Sequence, residues 1–120
     1  MANTIGWFDL PVNDLERAMA FYSKVTAKEL AKAWPGMEVA TFQHGDGDVA
    51  GCLYKEANAK PSDHGVLVYF NVSGRLDDAV REVGNNGGKV LQAREQIGPH
   101  GFRAIVLDSE GNRIALHSED

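Results

Sequence analysis

A change of hydrophobic period occurs twice in this chain, and it limits the possible folds more than any other feature. Phe8, Leu10 and Val12 alternate with Trp7, Asp9 and Pro11, the period of two of a half-buried strand. The period then lengthens, and Leu15, Ala18, Met19, Tyr22 and Val25 fall at helical spacing. The same switch returns downstream. Val66, Val68, Phe70 and Val72 alternate with Leu67, Tyr69 and Asn71, and Leu76, Ala79, Val80 and Val83 form a second helical stripe. Val12 matches Val72 at an offset of 60 residues, and Leu15 and Ala18 match Leu76 and Ala79 at 61. A pattern repeated at one spacing implies one supersecondary unit used twice, β-α-β-β-β.

The units are expected at about residues 4–56 and 63–118, in one domain spanning 1–120, with their first strands adjacent. The polar, proline-bearing stretch Glu56–Asp63 is the natural linker. The first helix is predicted from about Asp14 to Val25, with Asn13 as its cap and Glu16 closing a capping box. The second is predicted to stop at the Gly84–Gly88 cluster. Further strands are predicted over Lys28–Ala33, Glu38–His44, Val49–Lys55, Lys89–Gln92, Phe102–Asp108 and Arg113–His117. Hairpin turns fall at His44–Asp48, with Gly45 and Gly47 at positive φ, and at Asp108–Asn112.

Composition removes several function classes. A chain of 120 residues, 43% hydrophobic and 24% charged, can build one core without a disulfide or metal staple. Twelve Lys+Arg against 17 Asp+Glu, with no basic patch, argue against a nucleic-acid partner. A single cysteine excludes an intrachain disulfide and a Cys-rich zinc site. No stretch has the length of a membrane span, and Met1–Leu10 has neither a charged start nor an apolar signal core. The expectation is a cytoplasmic protein with no membrane partner.

The run from Trp7 to Tyr22, WFDLPVNDLERAMAFY, resembles the opening of a vicinal-oxygen-chelate protein, the glyoxalase, bleomycin-resistance and extradiol-dioxygenase superfamily. Tyr69–Val72, Gly87–Val90 and Leu107–Ile114 resemble its second half. The resemblance implies an α+β fold in which two βαβββ modules form an open, cup-shaped barrel of mixed sheets with helices on the outside. The metalloenzymes of this superfamily hold a divalent metal in the cup, with ligands from the first and last strands of each module. Carried over, those positions are Trp7, Leu67, Ala115 and, in the last strand of the first module, a position near Gly51. None has a side chain able to bind such an ion. A shift of one at the last position would bring in Cys52. The resemblance with these departures implies no metal and no cofactor.

Strand parity places Trp7, Asp9, Leu67, Tyr69, Asn71 and His117 in the cup as ligand-binding candidates. It also places Gly51 and Leu53 there, and turns Cys52 away. Trp7 and Tyr69 either wall a ligand site or plug the cup at its floor. Asp9 is either a general base or a structural acceptor for an Arg or a backbone N–H. His117 is either an acid–base partner or a solvated rim group. His100 lies on a loop that closes over the cup or merely turns. His44 reads as solvent-exposed, and the four histidines, His44, His64, His100 and His117, show no metal-ligand spacing. The expected function is binding of a small organic molecule. The alternative is a metal-independent lyase or isomerase with Asp9, and His117 beside it, as catalytic candidates. A third option is a regulatory partner with a vestigial pocket. Open sheet edges imply a homodimer.

Overall fold

The structure is a computed structural model that describes residues 3–120. Its elements run β1 (Trp7–Pro11), α1 (Leu15–Thr26), β2 (Leu30–Ala33), β3 (Val39–Phe42), β4 (Ala50–Tyr54), β5 (Val68–Asn71), α2 (Leu76–Asn85), β6 (Lys89–Gln96), β7 (Phe102–Leu107) and β8 (Arg113–Ser118). The β-α-β-β-β order occurs twice. Each copy forms a four-stranded mixed sheet, in orders β1-β4-β3-β2 and β5-β8-β7-β6. The first strand of each pairs in parallel with the last, and the other pairs are antiparallel.

The apolar stripe of α1, Leu15, Ala18, Phe21, Tyr22 and Val25, is buried, as are Leu76, Ala79 and Val83 of α2. Both stripes join Leu10, Val12, Leu53, Phe70, Val106, Ile114 and Leu116 in one core. The opposite faces of the sheets stay open. No hydrogen-bonded ladder joins β1 to β5 among the described residues, so both are edge strands. Their closest approach is through side chains, the rings of Phe8 and Phe70 meeting edge to face at 5.7 Å.

Several local expectations shift. The N-cap of α1 is Asp14, whose carboxylate accepts from the Arg17 N–H at 3.1 Å. Glu16 pairs with Lys32 instead of closing a capping box. The strand predicted from Lys28 begins at Leu30, the one predicted from Lys89 extends to Gln96, and α2 runs through Gly84 to Asn85. In the β3–β4 turn only Gly47 has positive φ (83°); Gly45 N–H donates to the Asp48 carboxylate. Val66, expected in the core, precedes β5 and is 91% exposed.

The parity of β4 also differs from the sequence reading. Phe8 is paired with Gly51, Asp9 with Cys52 and Leu10 with Leu53. Parallel partners share a face, so Gly51 and Leu53 turn toward the helices and Cys52 shares the open face with Asp9. Gly51 is needed there: a Cβ on it would lie 2.4 Å from the Phe8 ring.

The modules are tied by the turn between β7 and β8. The Asp108 carboxylate accepts from the buried Tyr22 hydroxyl of α1 at 2.5 Å, and from the N–H groups of Glu110 and Asn112. The Glu110 side chain is fully buried. It accepts from the backbone N–H groups of Asn13 and Asp14 at 3.0 and 2.8 Å, and from two nitrogens of Arg17 at 2.6 and 2.9 Å. Asn112 donates to the Pro11 carbonyl at 2.7 Å. Burial alone would raise the Glu110 pKa; its bonds to Arg17, Asp14, Ser109 and Asn13 outweigh burial and hold it at about 2.

A folded-state value below that of the unfolded chain makes this a contribution present at neutral pH. It is complete above pH 4.5 and is lost as the pH falls toward 2. It amounts to about 3 kcal/mol at most. Urea unfolding should therefore show Glu110→Gln less stable than the parent by about 2–3 kcal/mol at neutral pH, with the gap closing in acid. A gap that stays constant with pH would contradict this account of Glu110.

Candidate functional site

The two free edges leave a cleft between the modules of about 660 Å³, within the about 300–1,000 Å³ usual for small-molecule sites. Because β1 and β5 are edge strands, the cleft takes side chains of both parities. Phe8, Phe42 and Phe70 come from the helix-facing side, and Trp7, Leu67, Tyr69 and Asn71 from the open side or just before β5. The three phenylalanine rings contact one another at centroid distances of 5.6–5.9 Å, and Tyr22 packs behind Phe42 and Phe70. They form a rigid aromatic floor. Ile5, Val49 and Val66 rim the mouth and are all exposed.

Polar groups are sparse. The Asn71 carboxamide oxygen accepts from Ser73 N–H at 2.9 Å, which leaves its NH₂ end unused by that bond. His44 lies against Trp7, ring centroids 6.2 Å apart and nearly perpendicular. Its Nδ1 is 2.9 Å from the Phe42 carbonyl. A carbonyl only accepts, so Nδ1 carries the proton, and in the neutral ring Nε2 is an acceptor. Lys28, Gln43 and Thr26 line the end of the cleft beside the C-terminus of α1.

Four of the six ligand-binding candidates, Trp7, Leu67, Tyr69 and Asn71, line this cleft; Asp9 and His117 do not. Asp9 pairs across to Cys52 within its own sheet, and its Oδ1 accepts from the Trp7 indole at 2.7 Å and the Cys52 thiol at 3.1 Å. That is the structural-acceptor reading of Asp9, with an indole and a thiol as donors. Burial, then the bond to Asp9, push the Cys52 thiol up to about 12, so it stays protonated. His117 sits one strand in from the edge, on β8, and its Nε2 bonds the His100 carbonyl at 2.6 Å. His100 belongs to a short 3-10 turn and His64 pairs with Asp63 on the surface.

The open face of the second sheet carries a cluster that the sequence reading did not single out. Arg103 donates to the Tyr69 hydroxyl and, at 3.1 Å, to Glu95, and pairs across the ladder with His117. Parity was the available signal: Phe102, Ala104 and Val106 join the core cluster, which leaves Arg103 and Ile105 on the other face of β7. Lys28 and His44 were expected inside strands and instead lie just outside β2 and β3, so parity did not bring them to the cleft.

The metal positions implied by the resemblance can be tested on donor chemistry. Trp7, Leu67 and Ala115 bear no side-chain metal donor, and Gly51 faces the helices. Its neighbour Cys52 is on the open face beside one carboxylate, Asp9. Among the described residues, no three His, Cys, Asp or Glu side chains converge. At the positions that the resemblance implies, the side chains offer no imidazole, carboxylate or thiolate donor.

No curated protein matches the chain significantly. Solved structures are similar in fold. A glyoxalase-related enzyme from Fulvimarina pelagi is 16% identical with TM-score 0.73, over 97% of this chain and 88% of that one. A glyoxalase/bleomycin resistance protein/dioxygenase family enzyme from Burkholderia phytofirmans PsJN is 16% identical with TM-score 0.72, over 96% and 98%. The genomically encoded fosfomycin resistance protein of Listeria monocytogenes is 14% identical with TM-score 0.71, over 98% and 91%. The family model of the Glyoxalase/Bleomycin resistance protein/Dioxygenase superfamily matches residues 4–116, so the chain belongs to that superfamily.

Proposed function

We propose that this protein binds a small organic molecule without the superfamily metal. The observation that carries the reading is the apolar cleft between β1 and β5, with its floor of Phe8, Phe42 and Phe70 and its few orienting amides. Apolar walls with sparse polar groups are the composition of ligand sites. The donor-free residues at the inherited metal positions support the second half of the reading. Proton transfer by Asp9 and His117 finds less support, because the two belong to different sheets and neither lines the cleft.

The flank around the cleft also supports a homodimer. β1 and β5 are edge strands, and among the described residues their outward N–H and C=O groups have no ladder partner. A second copy laid along that flank would cover them. The single cysteine is buried and free of any disulfide, and we propose a cytoplasmic location. No helix among the described residues is long and apolar enough to cross a membrane.

Two measurements check these readings. N-phenyl-1-naphthylamine, a neutral aromatic probe, should brighten on binding at one equivalent per chain. Trp7→Ala should weaken that binding by about 1–2 kcal/mol, or five- to thirty-fold, since Trp7 is 42% exposed before any ligand covers it. No enhancement, or a Trp7→Ala variant with unaltered affinity, would contradict the cleft as the site. Light scattering should report twice the 13.0 kDa chain mass at micromolar concentration; a monomer would refute the dimer.

A further inference from the structure

The residues lining the cleft have an uneven charge. The chain has 17 Asp+Glu against 12 Lys+Arg, yet no acidic side chain lines the cleft. The one permanently charged group there is Lys28. Lys28 is one of seven Lys and Arg side chains with no carboxylate within ion-pair distance among the described residues, and of these seven it is the one that lines the cleft. Its place is fixed by the backbone: Ala27 closes α1 at φ 57°, and Lys28 N–H donates to Thr26 Oγ1 at 3.2 Å.

A second donor stands at the same end. Arg75, just beyond β5, donates to the Val25 carbonyl at 2.5 Å. That bond draws the end of α1, with Lys28 after it, to the C-terminal end of β5, where Asn71 stands. The carboxamide oxygen of Asn71 accepts from Ser73 N–H, which leaves its NH₂ group free of that bond. Lys28 and Asn71 both line the cleft, and among the described residues no carboxylate lines it opposite them.

We infer that the cleft selects an amphiphilic monocarboxylate: an aromatic or branched apolar body against Phe8, Phe42 and Phe70, and a carboxylate facing Lys28 and Asn71. The inference rests on the cleft being the binding site and adds the chemical class of its ligand. A neutral amide of the same shape would bury the same apolar area but leave the ammonium without a counter-charge. A cationic amphiphile would meet Lys28 with like charge.

The test is displacement of N-phenyl-1-naphthylamine by 4-phenylbutyrate and by its neutral isostere, 4-phenylbutyramide, at low salt. The carboxylate should displace the probe at about five-fold lower concentration, in the range of a partly desolvated ion pair. Added sodium chloride should shrink that preference. Lys28→Met should erase the ratio between the two competitors, and Lys28→Arg should restore it. Equal displacement by both compounds, displacement by neither while the probe binds, or a ratio that survives Lys28→Met would overturn the inference while leaving the cleft as a site. Failure of the probe itself to bind would overturn the site and the inference with it.

Discussion

The structure depends on one buried contact between modules. The turn after β7 carries Asp108, Glu110 and Asn112, and all three reach back to the first module: to Tyr22, to the entry of α1, and to the Pro11 carbonyl. A buried carboxylate is costly unless its oxygens are met by donors. Here they are: Glu110 takes two backbone N–H groups and a guanidinium, and Asp108 takes a phenol and two backbone N–H groups. The same bonds orient the first turn of α1, whose own cap, Asp14, satisfies only one N–H.

The position of the cleft follows from this arrangement. The modules share a core through their helix-facing sides and the clamp at one turn, but no strand pairs across. The first strands therefore remain edges, and the gap between them is floored by the rings that touch across it, Phe8 and Phe70. The cleft thus comes from strands whose edges are left unpaired. Function in this superfamily is set by the residues at such sites rather than by the fold. Of the residues at the positions where the resemblance puts metal donors, Trp7 and Leu67 line the cleft and Ala115 is buried.

Period and offset made the architecture legible, since a strand-to-helix switch repeated at 60 residues leaves few alternatives. The face of β1 and β5 was legible too, because Leu10, Val12, Phe70 and Val72 alternate with polar or amphipathic neighbours. The phase of β4 was not. Ala50, Cys52 and Tyr54 are as apolar as Leu53, and Gly51 has no side chain to weigh, so alternation could not say which set faces the helices. The cap was one residue off because Asn13 and Asp14 are equally good caps by residue type, and it is the Asp14 carbonyl that accepts the first helical bond, from Ala18 N–H. Four candidate residues line the cleft because parity and edge position agree for them. Asp9 and His117 have the right parity but sit where ladder neighbours, Cys52 and the turn before β7, hold them. Parity tells the face of a strand, not whether that face adjoins a gap.

The clamp is tested most directly by a double-mutant cycle on its buried pair, with Tyr22→Phe, Asp108→Asn and the combined variant unfolded in urea beside the parent. The account predicts that the two substitutions are strongly non-additive, with a coupling energy of about 1–3 kcal/mol across the modules. Additive losses, within about 0.3 kcal/mol, would show that the hydroxyl and the carboxylate act independently and that something other than this turn holds the modules together.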